Sequence, residues 1–264
     1  MNGLHRKFLA IGARLSIRDE DPRRPLETQS FTLDVGRDRK GEVFDLTIRR
    51  DGVSFRVADV QPKHRHLLLI AEHDGGTPQK FLCGHDERHW FIAEVHPSAA
   101  NVTQALEALK PVEAVASQRR HRVKKRDRNR RKNPGFVRQG EWFFIPVPDF
   151  RPASGIAFEN EPIQRGRSKP HIVEELYRRG GRPVYVAATH PRALSPSEHA
   201  ELLARRPEMR KLGWRLMSAE PEAYGRGRVR HPDHKTIVLP HWHRIVPNRE
   251  VSRPDGAMAN LFLD

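Results

Sequence analysis

Residues 43–60 read VFDLTIRRDGVSFRVADV, and this stretch decides the fold class of the first half of the chain. Apolar and polar residues alternate on both sides of Asp51-Gly52, which is the period of a half-buried β-strand. An Asp-Gly pair between two such runs is typical of a tight hairpin turn, because glycine adopts positive φ without a steric penalty. The stretch therefore predicts two paired strands, Phe44–Arg50 and Val53–Val60.

The pattern continues as a β-meander closed by a helix. Turn-forming residues separate three further predicted strands, at residues 66–72, 80–84 and 89–95. Asn101 is placed to cap a short helix that Pro111 ends. We expect a first module over residues 41–117, preceded by a weakly patterned lead-in at residues 1–40.

The second half of the chain mixes strand and helix patterns. The run 141–147 (EWFFIPV) predicts a strand, whose Trp142, Phe143 and Phe144 either fill a core or stack on bases. His171–Arg179 is predicted to be a helix ended by Gly180-Gly181. A second helix is predicted from Ser195, where a capping box coincides with proline at the first helical position. Short strands are predicted at residues 182–188, 214–217, 228–230, 236–239 and 242–246.

These patterns predict an α+β protein with two mixed, mainly antiparallel sheet modules and a few short helices. The second module spans residues 136–264, and residues 118–135 form a basic linker or arm between the two. No apolar run approaches the ~20 residues that span a bilayer, so no membrane partner is expected. A single cysteine, Cys83, fits a reducing compartment and predicts a cytoplasmic protein.

The segment Gln118–Lys132, QRRHRVKKRDRNRRK, concentrates the charge of the chain. Ten of its fifteen residues are Lys or Arg and one is acidic, so it carries +9 of the formal net charge of +15. Without an apolar face, it is predicted to be disordered, or a helical extension, until a polyanion binds. Phosphate backbone, of RNA or DNA, suits such a segment, and an arginine-rich segment that folds on its ligand slightly favours RNA or a mixed protein–nucleic acid complex.

The predicted nucleic-acid contacts are basic residues from two parts of the chain. Those in the basic segment are Arg119, Arg120, Arg122, Lys124, Lys125, Arg126, Arg128, Arg130, Arg131 and Lys132. Those in the second module are Arg165, Arg167, Arg226, Arg228 and Arg230.

A histidine cluster near residue 240 is the candidate for chemistry. The candidate catalytic residues are His231, Asp233, His234, His241 and His243. Imidazole and carboxylate groups suit a divalent ion such as zinc, manganese or magnesium, and His241, His243 and His234 are the candidate metal ligands. The alternation in His241-Trp242-His243 places two imidazoles on one face of a strand. Hydrogen-bonded structural imidazoles, or histidines that contact phosphate, are the alternative interpretation.

This pair of histidines around a hydrophobic residue resembles the two-histidine metal motif of single-strand nucleases and relaxases. The resemblance covers three residues and implies a tyrosine nucleophile, with candidates Tyr224, Tyr185 and Tyr177. Two smaller groups also offer ligands: Cys83 with His85 and His89, and His171 with Glu175 on the predicted helix. A polar turn and a surface ion pair are their respective alternatives.

Three functions follow from these features. The first is a nucleic-acid-binding protein that holds RNA or DNA by the backbone within a larger protein–nucleic acid complex. The second is a metal-dependent nuclease or phosphodiester transferase that uses the C-terminal histidine cluster. The third is a protein–protein adaptor whose basic segment docks an acidic partner.

Overall fold

The computed structural model describes residues 2–19, 30–49, 52–153, 157–165 and 169–249. Its sheets are mostly antiparallel and its helices are short, so the predicted α+β class is confirmed. The chain divides into two compact units, Met1–Glu141 with Pro247–Ser252 and Trp142–Val246 with Arg253–Asp264. None of the helices in the described ranges has the length and apolar character needed to cross a bilayer.

The first unit begins with a helix and a three-stranded sheet, in the segment predicted to be a lead-in. Its elements are α1 (Asn2–Ala10), β1 (Leu15–Asp19), β2 (Phe31–Asp38) and β3 (Gly41–Ile48). Strand β3 lies in the centre, antiparallel to β2 and parallel to β1. Phe8 is 1% exposed, and its ring centroid lies 5.0 Å from that of Phe44. The described part of the predicted lead-in therefore contributes to the core of this unit.

A four-stranded antiparallel meander forms the second sheet of the first unit. Its strands, in spatial order, are β4 (Val53–Gln61), β5 (His66–His73), β6 (Gln79–Asp86) and β7 (His89–Val95). The strands predicted here are confirmed, but the hairpin predicted at Asp51-Gly52 is wrong because β3 and β4 belong to different sheets. Gly52 does have the positive φ of a turn, 85°. The Asp-Gly signal thus agrees with the conformation of Gly52 but does not specify which strands pair.

Strand β5 is buried on both faces, which explains its continuous apolar run. Leu67 and Leu69 point into the cluster that contains Phe8 and Phe44. Leu68, between them, packs on the opposite face with residues of α2 (Val102–Ala108). The predicted cap of α2 is confirmed, because the Asn101 side chain accepts a hydrogen bond from the Gln104 amide at 2.9 Å. The unit continues with α3 (Val112–Arg120), β8 (Lys132–Asn133) and β9 (Phe136–Gln139).

The second unit is built on an antiparallel sheet. Its strands are β10 (Trp142–Pro146), β11 (Phe158–Ile163), β12 (His171–Arg179), β15 (Glu222–Arg230) and β16 (Ile237–Pro247), in the spatial order β11-β12-β15-β16-β10. A separate pair, β13 (Arg182–Val186) and β14 (Arg215–Ala219), flanks α4 (Pro196–Arg205) along the chain. The predicted capping box of α4 is confirmed at Ser195 and Glu198.

The helix predicted over His171–Arg179 is wrong, because these residues form strand β12. His171, Val173 and Leu176 are fully buried in it, and it pairs with β11 on one side and β15 on the other. β-Branched Ile172 and Val173 favour the extended conformation, and two neighbouring strands satisfy the backbone along its length. Tertiary pairing therefore overrides the helical spacing of its charged residues.

Candidate functional site

The basic segment Gln118–Lys132 is ordered against the first unit. The Gln118 side chain is buried, and its Nε2 donates to the Arg128 carbonyl at 2.7 Å. Val123 is also buried, and its amide donates to the Gln118 carbonyl at 2.9 Å. Gly135 packs so closely that a Cβ there would lie 2.8 Å from the Gln118 nitrogen. The segment is therefore fixed by buried contacts, in contrast to the disorder predicted from its composition.

Most cations of this segment face solvent. Arg126 and Arg130 pair with Asp127, and Arg131 pairs with residues of the β6–β7 turn. The other seven are exposed and, within the described part of the chain, have no carboxylate within salt-bridge distance. We call these seven the basic surface: Arg119, Arg120, Arg122, Lys124, Lys125, Arg128 and Lys132.

An acidic turn anchors the end of the basic segment. Arg131 contacts the Asp86 carboxylate and lies 2.6 Å from that of Glu87, while Arg138 of β9 lies 3.2 Å from Asp86. Burial lowers the pKa of the Arg131 guanidinium, and the charge of Asp86 opposes that shift. The polar hairpin turn predicted at residues 85–88 is confirmed. Its role as an anchor was missed, because no local pattern relates residue 86 to residue 131.

We expect Asp86→Asn to lower the free energy of unfolding by about 1–2 kcal/mol, since two partly buried guanidinium groups lose a shared carboxylate. Asp127→Asn is the matched control. Its partners Arg126 and Arg130 have side chains 79% and 71% exposed, so a loss below ~0.5 kcal/mol is expected. Urea unfolding of both variants measures the difference, and equal losses would contradict the anchoring role of Asp86.

The arginines predicted to assist from the second unit are largely engaged with other side chains. Arg226 binds the Glu175 carboxylate with two nitrogens, and Arg228 binds Glu174 at 3.1 Å. Arg230 donates to Asn160 Oδ1 at 2.6 Å. Arg165 is partly buried and also has a partner, and Arg167 lies outside the described residues. The two glutamates offset the charge of Arg226 and Arg228, so these two arginines add little unpaired positive charge.

Three histidines converge at one end of the sheet in the second unit. His171 opens β12, and antiparallel pairing of Ile172 with Arg230 brings it beside His231, just after β15. His234 follows in the loop before β16. One ring nitrogen from each lies within 4.8 Å of the other two, so the three are close enough to hold a metal ion. The ring centroids of His171 and His231 are 4.2 Å apart.

The environment of His171 keeps its imidazole neutral. The residue is 1% exposed, and burial, with the charges of His231 and His234 as smaller causes, lowers its pKa to about 3. A neutral imidazole keeps one ring nitrogen with a free electron pair, which is the form that binds metals. His171 was predicted to lie on a helix, so its place in this group was not foreseen.

The other predicted ligands are arranged differently. Asp233 forms an ion pair with Lys169, whose Nζ lies 2.8 Å from its Oδ2. The rings of His241 and His243 stack with centroids 4.6 Å apart, so they share a face of β16 as predicted. In the residues that the structure describes, however, no third His, Cys, Asp or Glu joins them in a ligand group. Of the predicted set, His234 and His231 therefore lie in the three-histidine group and His241 and His243 do not.

Burial of His243 makes the stability of the second unit depend on pH. Desolvation lowers its pKa to about 4, although the hydrogen bond from its Nδ1 to the His241 carbonyl at 2.7 Å opposes the shift. The unfolded chain binds this proton near pH 6.5, while the folded chain binds it near pH 4. The stabilisation is therefore complete above pH ~6.5 and is lost as the pH falls towards ~4.

We expect the free energy of unfolding to fall by up to ~1.4 kcal/mol per pH unit in this window because of His243. His243→Asn removes the titrating group, and its amide can still donate to the His241 carbonyl. Urea unfolding of wild type and variant at about pH 7, 5.5 and 4.5 isolates this contribution, since the other histidines are common to both. Parallel stability curves would show that His243 does not titrate as described.

Several other candidates for chemistry or base stacking are buried side chains. Tyr224 is buried, stacks on Phe150 with centroids 3.9 Å apart, and donates to Glu222 Oε2 at 2.9 Å. Cys83 is fully buried in the core of the first unit, and burial raises the pKa of its thiol. The aromatic residues Trp142–Phe144 are buried as well, which leaves base stacking to other side chains.

No protein-family model, curated protein or solved structure matches the chain.

Proposed function

We propose that this protein binds nucleic acid by its phosphate backbone, using the basic surface. The observation that supports the proposal is a set of seven exposed cations on an ordered segment, none of which pairs with a carboxylate of the described residues. An ordered segment binds with a smaller loss of conformational entropy than the disordered arm expected from composition. Phosphates placed along it would relieve the mutual repulsion of the cations and release condensed counterions.

The chemistry of this surface favours binding without base recognition. Lysine and arginine contacts to phosphate position a duplex or a strand but carry no sequence information directly. The aromatic run Trp142–Phe144 is buried and does not supply a stacking platform. We therefore expect RNA and DNA of equal charge density to bind with similar affinity.

Fluorescence anisotropy tests this proposal with single-stranded RNA, single-stranded DNA and duplex DNA of equal length. If about six phosphate contacts form, affinity falls ~10³-fold between 50 and 200 mM salt. An affinity that does not change with salt would contradict backbone binding. Binding to an acidic protein at salt concentrations where nucleic acid has dissociated would favour the adaptor function instead.

A metal-dependent nuclease or phosphodiester transferase is the second candidate function. The observation that favours it is the three-histidine group, since a divalent metal ion can activate water for attack on a phosphodiester. Incubation of the zinc-loaded protein with labelled RNA and DNA tests it. Cleavage should stop on chelation while binding persists, and intact substrate at all metal concentrations would eliminate this function.

A further inference from the structure

The chemistry of the three-histidine group begins with His171, whose imidazole is buried. At 1% exposure, neither Nδ1 nor Nε2 has a hydrogen-bond partner among the described residues. Buried polar atoms in folded proteins are nearly always paired, so an imidazole in this state calls for a specific explanation. An ion that accepts its electron pair would satisfy one of the two nitrogens.

The neighbouring imidazoles complete a set of nitrogen donors. His231 and His234 are partly exposed, and their rings lie 4.2 Å and 5.5 Å from that of His171. The three candidate ligand atoms lie within 4.8 Å of one another, compared with ~3.3 Å for nitrogens bonded to one tetrahedral zinc ion. Rotation of the two partly exposed rings would close this difference while His171 stays in the core.

The hydrogen bonds of His231 hold the tautomer that a metal ligand needs. Its Nε2 lies 3.3 Å from the Lys169 carbonyl, which accepts only, so Nε2 carries the proton. The free electron pair is then on Nδ1, which accepts from the Asp233 amide at 3.1 Å. Metal-bound histidines ordinarily donate their other ring N–H to a carbonyl or carboxylate, as His231 does here. Metal binding at Nδ1 would replace the contact with the Asp233 amide.

The composition of the group selects the class of metal. Three imidazoles suit zinc and similar transition metals, whereas magnesium and calcium prefer oxygen ligands. Asp233, the nearby carboxylate, is held by Lys169 at 2.8 Å. We propose that His171, His231 and His234 bind one zinc ion, with the fourth tetrahedral position left for water or another ligand. This inference does not depend on nucleic-acid binding, which rests on residues of the other unit.

Zinc titration of the full chain, first stripped with a chelator, tests the proposal by calorimetry and thermal unfolding. We expect one tight zinc ion per chain, a rise in the melting temperature with zinc, and no such rise with magnesium at equal concentration. Because His171→Ala risks unfolding the core, the informative variant is His234→Ala, whose side chain is partly exposed. It should weaken zinc binding at least ~100-fold.

A matched control and cobalt spectroscopy separate this site from weak binding to other histidines. His190→Ala removes a partly exposed histidine elsewhere in the same unit and should leave zinc affinity unchanged. Cobalt bound in the same position should give the intense visible absorption of a tetrahedral site, and His234→Ala should abolish it. The absence of a tight site in the wild type, or zinc affinity that survives His234→Ala, would overturn the proposal.

Discussion

Replacing Arg119, Arg122, Lys124 and Lys125 with glutamine is expected to reduce nucleic-acid affinity at least ~100-fold near 100 mM salt. These four belong to the basic surface and have no acidic partner among the described residues. Each phosphate contact that is lost should reduce the slope of log affinity against log salt by about 0.9 for duplex DNA, so the slope should fall by ~3–4. Anisotropy titrations at several salt concentrations measure both quantities.

The matched control for this variant replaces four exposed cations in the second unit. Arg206, Arg210, Lys211 and Arg215 are exposed, and their replacement with glutamine makes the same change in net charge. If nucleic acid binds at the basic surface, this control should keep the wild-type salt slope and most of the affinity. Equal losses in the two variants would mean that net charge alone, rather than the basic surface, governs binding.

Phe8→Ala is expected to cost about 3–5 kcal/mol of unfolding free energy, as large-to-small substitutions of buried aromatic residues do. Phe8 is 1% exposed and packs edge-to-face on Phe44, within the same cluster as Leu67 and Leu69. The variant leaves a cavity where α1 meets the sheets of the first unit. Chemical unfolding followed by tryptophan fluorescence measures the loss, because Trp90 lies 5.5 Å from Phe44.

Leu9→Ala, one position along the same helix, is the control for Phe8→Ala. Leu9 is 72% exposed, so its truncation should change stability by less than ~0.5 kcal/mol. The pair tests whether α1 belongs to the core or is a loosely docked lead-in. A small effect of Phe8→Ala would restore the second interpretation.

Periodicity predicted the four strands of the meander in the first unit well. The alternation over residues 53–60 and the apolar runs that follow it correspond to β4–β7, and the Asn101 and Ser195 caps are both confirmed. These features are local: a cap or a strand depends on residues within a few positions of each other. The Asp51-Gly52 signal failed in its pairing because β3 pairs with β1 and β2, which both precede it in the chain. A turn signal contains no information about which strand supplies the neighbouring hydrogen bonds.

The candidate site residues also combine features that the local sequence predicts with contacts between residues far apart in the chain. Composition identified the basic segment, but contacts of Gln118, Gly135 and the acidic turn at Asp86 fix its conformation. Asp86 lies 45 positions before its partner Arg131 in the chain. The run His171–Arg179 has charged residues at helical spacing, and only pairing with β11 and β15 makes it a strand. That pairing also brings His171 to His231, 60 positions later.

The amino-acid order alone thus determines the α+β class, most strand positions and the location of the surplus charge, because these depend on short-range pattern and composition. The tertiary structure decides which cations of the basic segment form ion pairs and which histidines meet. The physical reason is that ion pairs and ligand groups form between side chains brought together by strand register and core packing. Residues far apart in the chain, such as Arg131 with Asp86 and His171 with His234, acquire their chemistry only when the sheets assemble.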